Sequence, residues 1–136
     1  ASILAGNIMG PVAFSLAVAD GSPAAVTIHA WATCAAFGLH YIGTVPLVRS
    51  MIRGRKDPRW AVGSTLLHAA FTLCAAAAWW FGALTIWPVL MWALLTARAW
   101  VMPTISRKRA RPLSPKLIGF SELGWSLLLI VSLLIP

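Results

Sequence analysis

Four ionisable side chains, those of His40, His68, Arg98 and Glu122, stand inside otherwise apolar stretches of the sequence. If these stretches are helices, each group lies about one to three turns from a basic or proline-marked segment end, so all four fall at a similar depth. Ionisable groups inside a membrane are costly, and they usually face the bundle interior, pair with one another or mark a functional path. These residues are therefore the candidate site of the chain.

Arg98 and Glu122 are the oppositely charged residues that fall within predicted spans. Because a buried charge needs a partner, the sequence predicts an intramembrane ion pair between them, which could lock two helices together. The alternative is that Arg98 extends to the lipid headgroups while Glu122 lies at the interface, each solvated singly.

His40 and His68 fall on neighbouring antiparallel helices in this reading. A neutral imidazole is the commonest metal ligand in proteins and can also hold haem iron axially, so these two residues could bind a b-type haem or another pigment. A proton- or quinone-linked role and simple packing are the alternatives. The cysteines Cys34 and Cys74 lie in apolar spans without a CxxC spacing, so we expect packing thiols and no metal site.

Catalytic sets are scarce in this chain. Asp20, Asp57 and Glu122 are its only acidic residues, so there is no carboxylate pair for hydrolysis and no acidic cluster for magnesium. Phosphate loops, nucleophile elbows and HExxH motifs are missing as well. The sequence therefore favours a protein that is not an enzyme.

The elements that position these residues follow from the composition. The chain of 136 residues is 60% hydrophobic and 10% charged, which a soluble domain of this size could not bury. We predict an all-α fold, a polytopic transmembrane helix bundle that forms a single domain over residues 1–136.

Apolar stretches between the turn and charge signals give five helices, four clear spans and a shorter N-terminal apolar helix. They are expected at about 3–19, 24–48, 60–82, 84–102 and 117–135. Pro103 is expected to stop the fourth of them.

Every Lys and Arg except Arg98 falls in two predicted loops, residues 49–59 and 103–116. Basic residues at the ends of spans stay in the cytoplasm, so both loops should be cytoplasmic and the C-terminus outside, as in a multi-pass protein of the bacterial cytoplasmic (inner) membrane. The residues expected to contact lipid headgroups and set the orientation are Arg49, Arg53, Arg55, Lys56, Arg59, Arg107, Lys108, Arg109, Arg111 and Lys116. Orientation and lipid attraction account for the net charge of +8, so we expect no nucleic-acid partner.

The two loop regions also carry a family resemblance. The sequence from Val48 to Arg59, and the segments Ala97–Pro103 and Arg111–Glu122, resemble the YwiC-like family of bacterial integral membrane proteins. Together with His68, these matches cover roughly residues 44–126. Typical members look longer, with further N-terminal helices and a Glu-His-Gly-Ala-Trp type segment that this chain lacks, so the resemblance covers the C-terminal half of the family pattern.

The resemblance implies a polytopic bacterial membrane protein and implies no particular activity. It suggests that Arg49, Arg53, Arg98 and Glu122 belong to a shared pattern.

The function expected from the sequence is a small accessory or scaffold subunit of a larger bacterial membrane complex, with respiratory and energy-transducing complexes among the candidates. Alanine-rich packing faces such as residues 75–78, short outside loops and the missing catalytic set favour it, and lipids and other membrane subunits are the expected partners. One alternative is a haem- or quinone-associated electron-transfer subunit with His40 and His68 as ligands. A second alternative is a small transporter component.

Overall fold

The chain forms antiparallel helices joined by short connections. The computed structural model describes residues 28–109 and 113–135, which contain four α-helices and no strand. The helices are α1 (Ile28–Met51), α2 (Pro58–Trp80), α3 (Ile86–Lys108) and α4 (Pro115–Leu134). The prediction of an all-helical chain is confirmed for these residues. The expected N-terminal helix at residues 3–19 lies outside them.

Three of these helices, α2, α3 and α4, are long and apolar enough to cross a membrane by length and composition. The expectation of four clear spans is therefore not matched, because α1 is not among the three.

Two helices begin earlier than the sequence suggested, because each starts at a proline behind a capping side chain. Asp57 Oδ1 accepts a hydrogen bond from the Arg59 amide at 2.9 Å and caps α2 at Pro58. Ser114 Oγ accepts from the Leu117 amide at 3.3 Å and caps α4. Proline suits the first helical turn, where its missing N–H has no intrahelical role.

The expected end of the fourth predicted helix at Met102 is wrong, since α3 continues through Pro103 to Lys108. Proline removes one backbone donor, but a helix packed among others can tolerate that loss. α1 likewise contains Pro46 and runs to Met51. The basic loops are consequently shorter than predicted, and Arg49 and Arg107 lie on helices.

The apolar core lies between the helices in two clusters. One surrounds Trp92 and Leu95 of α3, with Phe71 of α2 and Leu129 of α4 packed against them. The other lies nearer the connection between α1 and α2 and includes Leu47, Met51, Ala99, Leu113 and Ile118. α4 is the most peripheral of the three membrane-length helices. Of its most apolar stretch of 18 residues, 22% is buried inside the bundle, against 39% for α3.

Candidate functional site

Each of the four helices contributes at least one polar side chain to the interior of the bundle. We call the set His40, His68, Arg98, Glu122 and Ser126 the buried polar layer. His40, His68, Arg98 and Ser126 are buried, and the Glu122 side chain is 17% exposed. The apolar core around them favours hydrogen bonding, since an unpartnered polar group is costly there.

Arg98 on α3 and Glu122 on α4 form an ion pair. The guanidinium donates to both carboxylate oxygens, with Nη1 at 3.3 Å from Oε2, and Nη2 also lies 3.4 Å from Ser121 Oγ. The Trp125 ring lies 5.2 Å from the guanidinium carbon, close enough for a cation–π contact. Two parallel charge-assisted bonds fix geometry as well as distance, so this pair joins α3 to α4 in one register.

His40 on α1 reaches across to α4, where its Nε2 lies 3.0 Å from Ser126 Oγ. The Ser126 hydroxyl donates its single proton to the Glu122 backbone carbonyl at 2.9 Å. Its oxygen must therefore accept from His40, which places the imidazole proton on Nε2. His40 Nδ1 is then a bare nitrogen, buried and without a hydrogen-bond partner within residues 28–109 and 113–135.

His68 on α2 uses the other ring nitrogen. Its Nδ1 lies 2.8 Å from the Ser64 carbonyl oxygen and donates to it, because a carbonyl can only accept. The ring edge with Nε2 faces Gly43 of α1, where an added Cβ would lie 3.0 Å from both Nε2 and Cε1. Gly43 therefore lets α1 approach α2 closely at the histidine.

Trp92 on α3 contacts both imidazoles, with ring centroids 6.4 Å from His40 and 6.2 Å from His68. One turn further along, Thr72 of α2 and Thr96 of α3 share a hydrogen bond of 2.8 Å. Aromatic contacts of this kind stabilise a buried cluster beyond simple area burial. Hydrogen bonds and an ion pair between side chains thus join α1 to α4, α2 to α3 and α3 to α4, and Trp92 of α3 contacts rings on α1 and α2.

A b-type haem or pigment held by His40 and His68 does not fit this arrangement. Trp92 lies against both rings, and His40 Nε2 is engaged by Ser126. The cavity beside Trp92 has a volume of about 80 Å³ and is lined by alanines, Phe71 and other apolar groups, with no histidine. Cofactor pockets typically hold roughly 300–1,000 Å³. In the described part of the chain no three His, Cys, Asp or Glu side chains are grouped to hold a metal ion either.

The basic residues gather at one end of the bundle, formed by residues 49–60 and the C-terminal turn of α3. We call this the basic end. Arg49 lies over the Trp60 ring with its guanidinium carbon 3.9 Å from the centroid. The other orientation residues that the structure describes are exposed, apart from Arg55: Arg53, Lys56, Arg59, Arg107, Lys108, Arg109 and Lys116. Arg111 lies outside the described residues.

Arg55 differs from this group, and sequence reasoning missed its role. Its Nε donates to the Ser106 carbonyl at 2.6 Å, and Nη2 donates to the carbonyls of Arg107 and Arg109. The Ser106 hydroxyl donates a hydrogen bond of 3.2 Å to the Met51 carbonyl. A helix C-terminus exposes unpaired carbonyls and attracts cations, so a basic residue opposite the end of α3 was a usable signal.

Comparison of the chain with protein-family models, with curated proteins and with solved structures finds no match. The resemblance to the YwiC-like family stays a prediction. The function of the chain has to follow from the geometry of the buried polar layer and of the basic end.

Proposed function

We propose that this chain is a small multi-pass membrane subunit that serves as an accessory or scaffold element of a larger membrane complex. The observation that carries the proposal is that the bonds of the buried polar layer, together with the bond between Thr72 and Thr96, join helices to one another. Arg98 binds Glu122, His40 binds Ser126, and Thr72 binds Thr96, so each side chain–side chain bond connects two different helices.

A densely packed interior supports the same conclusion. Trp92, Leu95 and Leu129 fill the space beside the polar layer and are almost fully buried. A transport path or a cofactor site needs a water-filled or ligand-sized space between helices. The larger concavities found in the described residues lie on the surface, lined by the outer sides of α1 and α4 and by the basic end.

The outer faces of the helices would then meet lipid and the partner. Helix association inside a bilayer depends on close packing of outward side chains and on hydrogen bonds, since lipid is as apolar as leucine. In this proposal α1 crosses beside the other three helices, with residues 3–19 as a shorter fifth span. The same proposal takes the chain as similar to the C-terminal half of the YwiC-like family and places it in a bacterial inner membrane, with its basic end in the cytoplasm and its C-terminus outside.

Site-specific photocrosslinking in native membranes tests the partner. A photoreactive residue is placed at one outward position on each of α1, α2, α3 and α4, namely Val45, Leu66, Leu94 and Leu127, all of which are exposed. Matched probes at the fully buried Leu95 and Leu129 are the controls. We expect a discrete protein adduct from one outward face and none from the buried probes. Lipid adducts alone from every outward face, with migration as a free monomer in blue-native gels, would contradict the proposal.

A small transporter component is the second candidate, because the interior holds polar atoms without partners. His40 Nδ1, Ser64 Oγ and Arg98 Nε are buried and unbonded in the described part of the chain. Ordered waters bound to such atoms could form a proton path. This candidate predicts that Glu122→Gln abolishes proton-coupled flux in proteoliposomes, whereas an absence of flux in the unmodified protein would remove it.

A further inference from the structure

The basic end contains an open concavity of about 570 Å³, lined by Ile52, Arg53, Arg55, Lys56 and Arg107. We call it the headgroup concavity. Four of its five lining residues are cations, brought together from the connection between α1 and α2 and from the last turn of α3. Such a density of positive charge attracts phosphate groups.

No carboxylate forms an ion pair with these cations within the residues that the structure describes. Asp57 caps α2, and Glu122 pairs with Arg98 inside the bundle. Arg53, Lys56 and Arg107 are exposed, and their side chains make no ion pair with a described residue. Their charge is therefore available to an external anion.

The backbone that carries these cations is held in place. The Gly54 amide donates to the Arg49 carbonyl at 2.7 Å, and the Asp57 amide donates to the Gly54 carbonyl at 3.0 Å. Arg55 then binds the loop to the end of α3 through Ser106 and its neighbours. Because the backbone positions are fixed before binding, less conformational entropy is lost when the ligand binds.

A second depression, of about 490 Å³, continues from the concavity along α1. It shares Ile52 and Arg53 with the first and is also lined by Thr44, Val45, Val48 and Arg49, so a row of apolar side chains is flanked by two arginines. We call it the acyl groove. Val45 and Val48 lie on one face of α1, Ile52 follows just beyond its end, and Val45 is 68% exposed, so an extended hydrocarbon chain can pack along them.

The cationic concavity suits an anionic headgroup, and the valines and isoleucine of the adjoining groove suit a hydrocarbon chain, so the surface suits an amphiphile. We propose that this surface is a binding site for an anionic phospholipid, with a headgroup bearing two phosphates in the headgroup concavity and an acyl chain in the acyl groove. Three free cations and Arg55 suit a dianionic headgroup such as that of cardiolipin better than a zwitterionic one. The site is independent of any partner subunit.

Native mass spectrometry of the purified protein tests the site, with cardiolipin, phosphatidylglycerol, phosphatidylethanolamine and inorganic pyrophosphate as probes. Arg107→Gln should weaken cardiolipin binding about fivefold, which corresponds to ~1 kcal/mol for one cation near the phosphates. The matched control is Lys108→Gln, which removes the same charge one residue away from the concavity and should change binding less than about twofold.

A second variant tests the acyl groove. Val45→Trp fills the groove and should weaken cardiolipin while leaving pyrophosphate binding unchanged, so it separates a lipid from a soluble phosphate compound. Equal losses in Arg107→Gln and Lys108→Gln would overturn the proposal, because they would mean diffuse charge attraction. Pyrophosphate binding as tight as cardiolipin binding, with no effect of Val45→Trp, would overturn it in favour of a soluble anion.

Discussion

A serine hydroxyl on α4 decides which nitrogen of His40 carries the proton. Ser126 donates to the Glu122 carbonyl and therefore accepts from His40 Nε2. His40, Ser126 and Glu122 thus form one connected set across α1 and α4, and the ion pair of Glu122 with Arg98 extends it to α3. A buried imidazole without this partner would have both nitrogens unsatisfied.

Ser126→Ala should lower the free energy of unfolding by ~1–3 kcal/mol, because it leaves a buried donor on His40 without an acceptor. Ser132→Ala is the matched control, since Ser132 is a buried serine of the same helix whose hydroxyl binds the Leu129 carbonyl within α4. Equilibrium unfolding in detergent micelles measures both. Equal losses in the two variants would show that the bond between α1 and α4 contributes nothing of its own.

The partners of the ionisable residues were only partly predictable from the sequence. The pairing of Arg98 with Glu122 was predictable, because they are the oppositely charged residues within the predicted spans. The geometry of their hydrogen bonds was not. Ser126 was missed, although its position four residues after Glu122 places it on the same face of α4. Trp92 was also missed, because a tryptophan in an apolar helix gives no sign of which side chains it will touch.

Close approach of α1 and α2 depends on one glycine. Gly43→Ala should destabilise the bundle by ~1–3 kcal/mol, because its Cβ would press on the His68 ring at 3.0 Å. Gly38→Ala is the control on the same helix, where an added Cβ meets no atom within 4 Å and alanine favours the helix. Thermal unfolding of the two variants measures the difference, and a neutral Gly43→Ala would contradict the tight packing at His68.

Arg55 holds the end of α3 against the connection between α1 and α2. Arg55→Ala should raise amide hydrogen exchange in residues 104–109, because three carbonyls lose their donor. Arg53→Ala removes an exposed cation from the same loop, makes no such bonds and should leave the exchange unchanged. Equal exchange in both variants would mean that Arg55 does not hold this turn.

Helix bounds show where sequence patterns fall short. The existence of all four described helices follows from hydrophobic length, whereas the end of α3 was placed at Met102 because Pro103 reads as a stop signal. The helix continues to Lys108, since neighbouring helices stabilise a turn that lacks one backbone bond. Tertiary packing of this kind is not visible in a single segment.

The basic end and the turn at residues 81–85 lie at opposite ends of the bundle, because α2 connects them. Single cysteines in place of Lys56 and Phe81, in a chain whose two native cysteines are replaced, should therefore react with an impermeant thiol reagent from opposite sides of the membrane. We expect Lys56→Cys to react only after the cells are opened. Reaction of both positions from the same side would contradict a spanning α2.

Within the whole molecule, the central claim is that the buried polar layer stabilises the bundle. A double-mutant cycle on Arg98 and Glu122, followed by unfolding free energy in detergent micelles, tests this claim most directly. Removing either charge alone, as Arg98→Leu or Glu122→Leu, leaves a buried unpaired ion and should cost ~3–5 kcal/mol. The double variant should be far more stable than the sum of the two losses predicts. Losses that add within ~0.5 kcal/mol would contradict the account, because independent residues behave in that way.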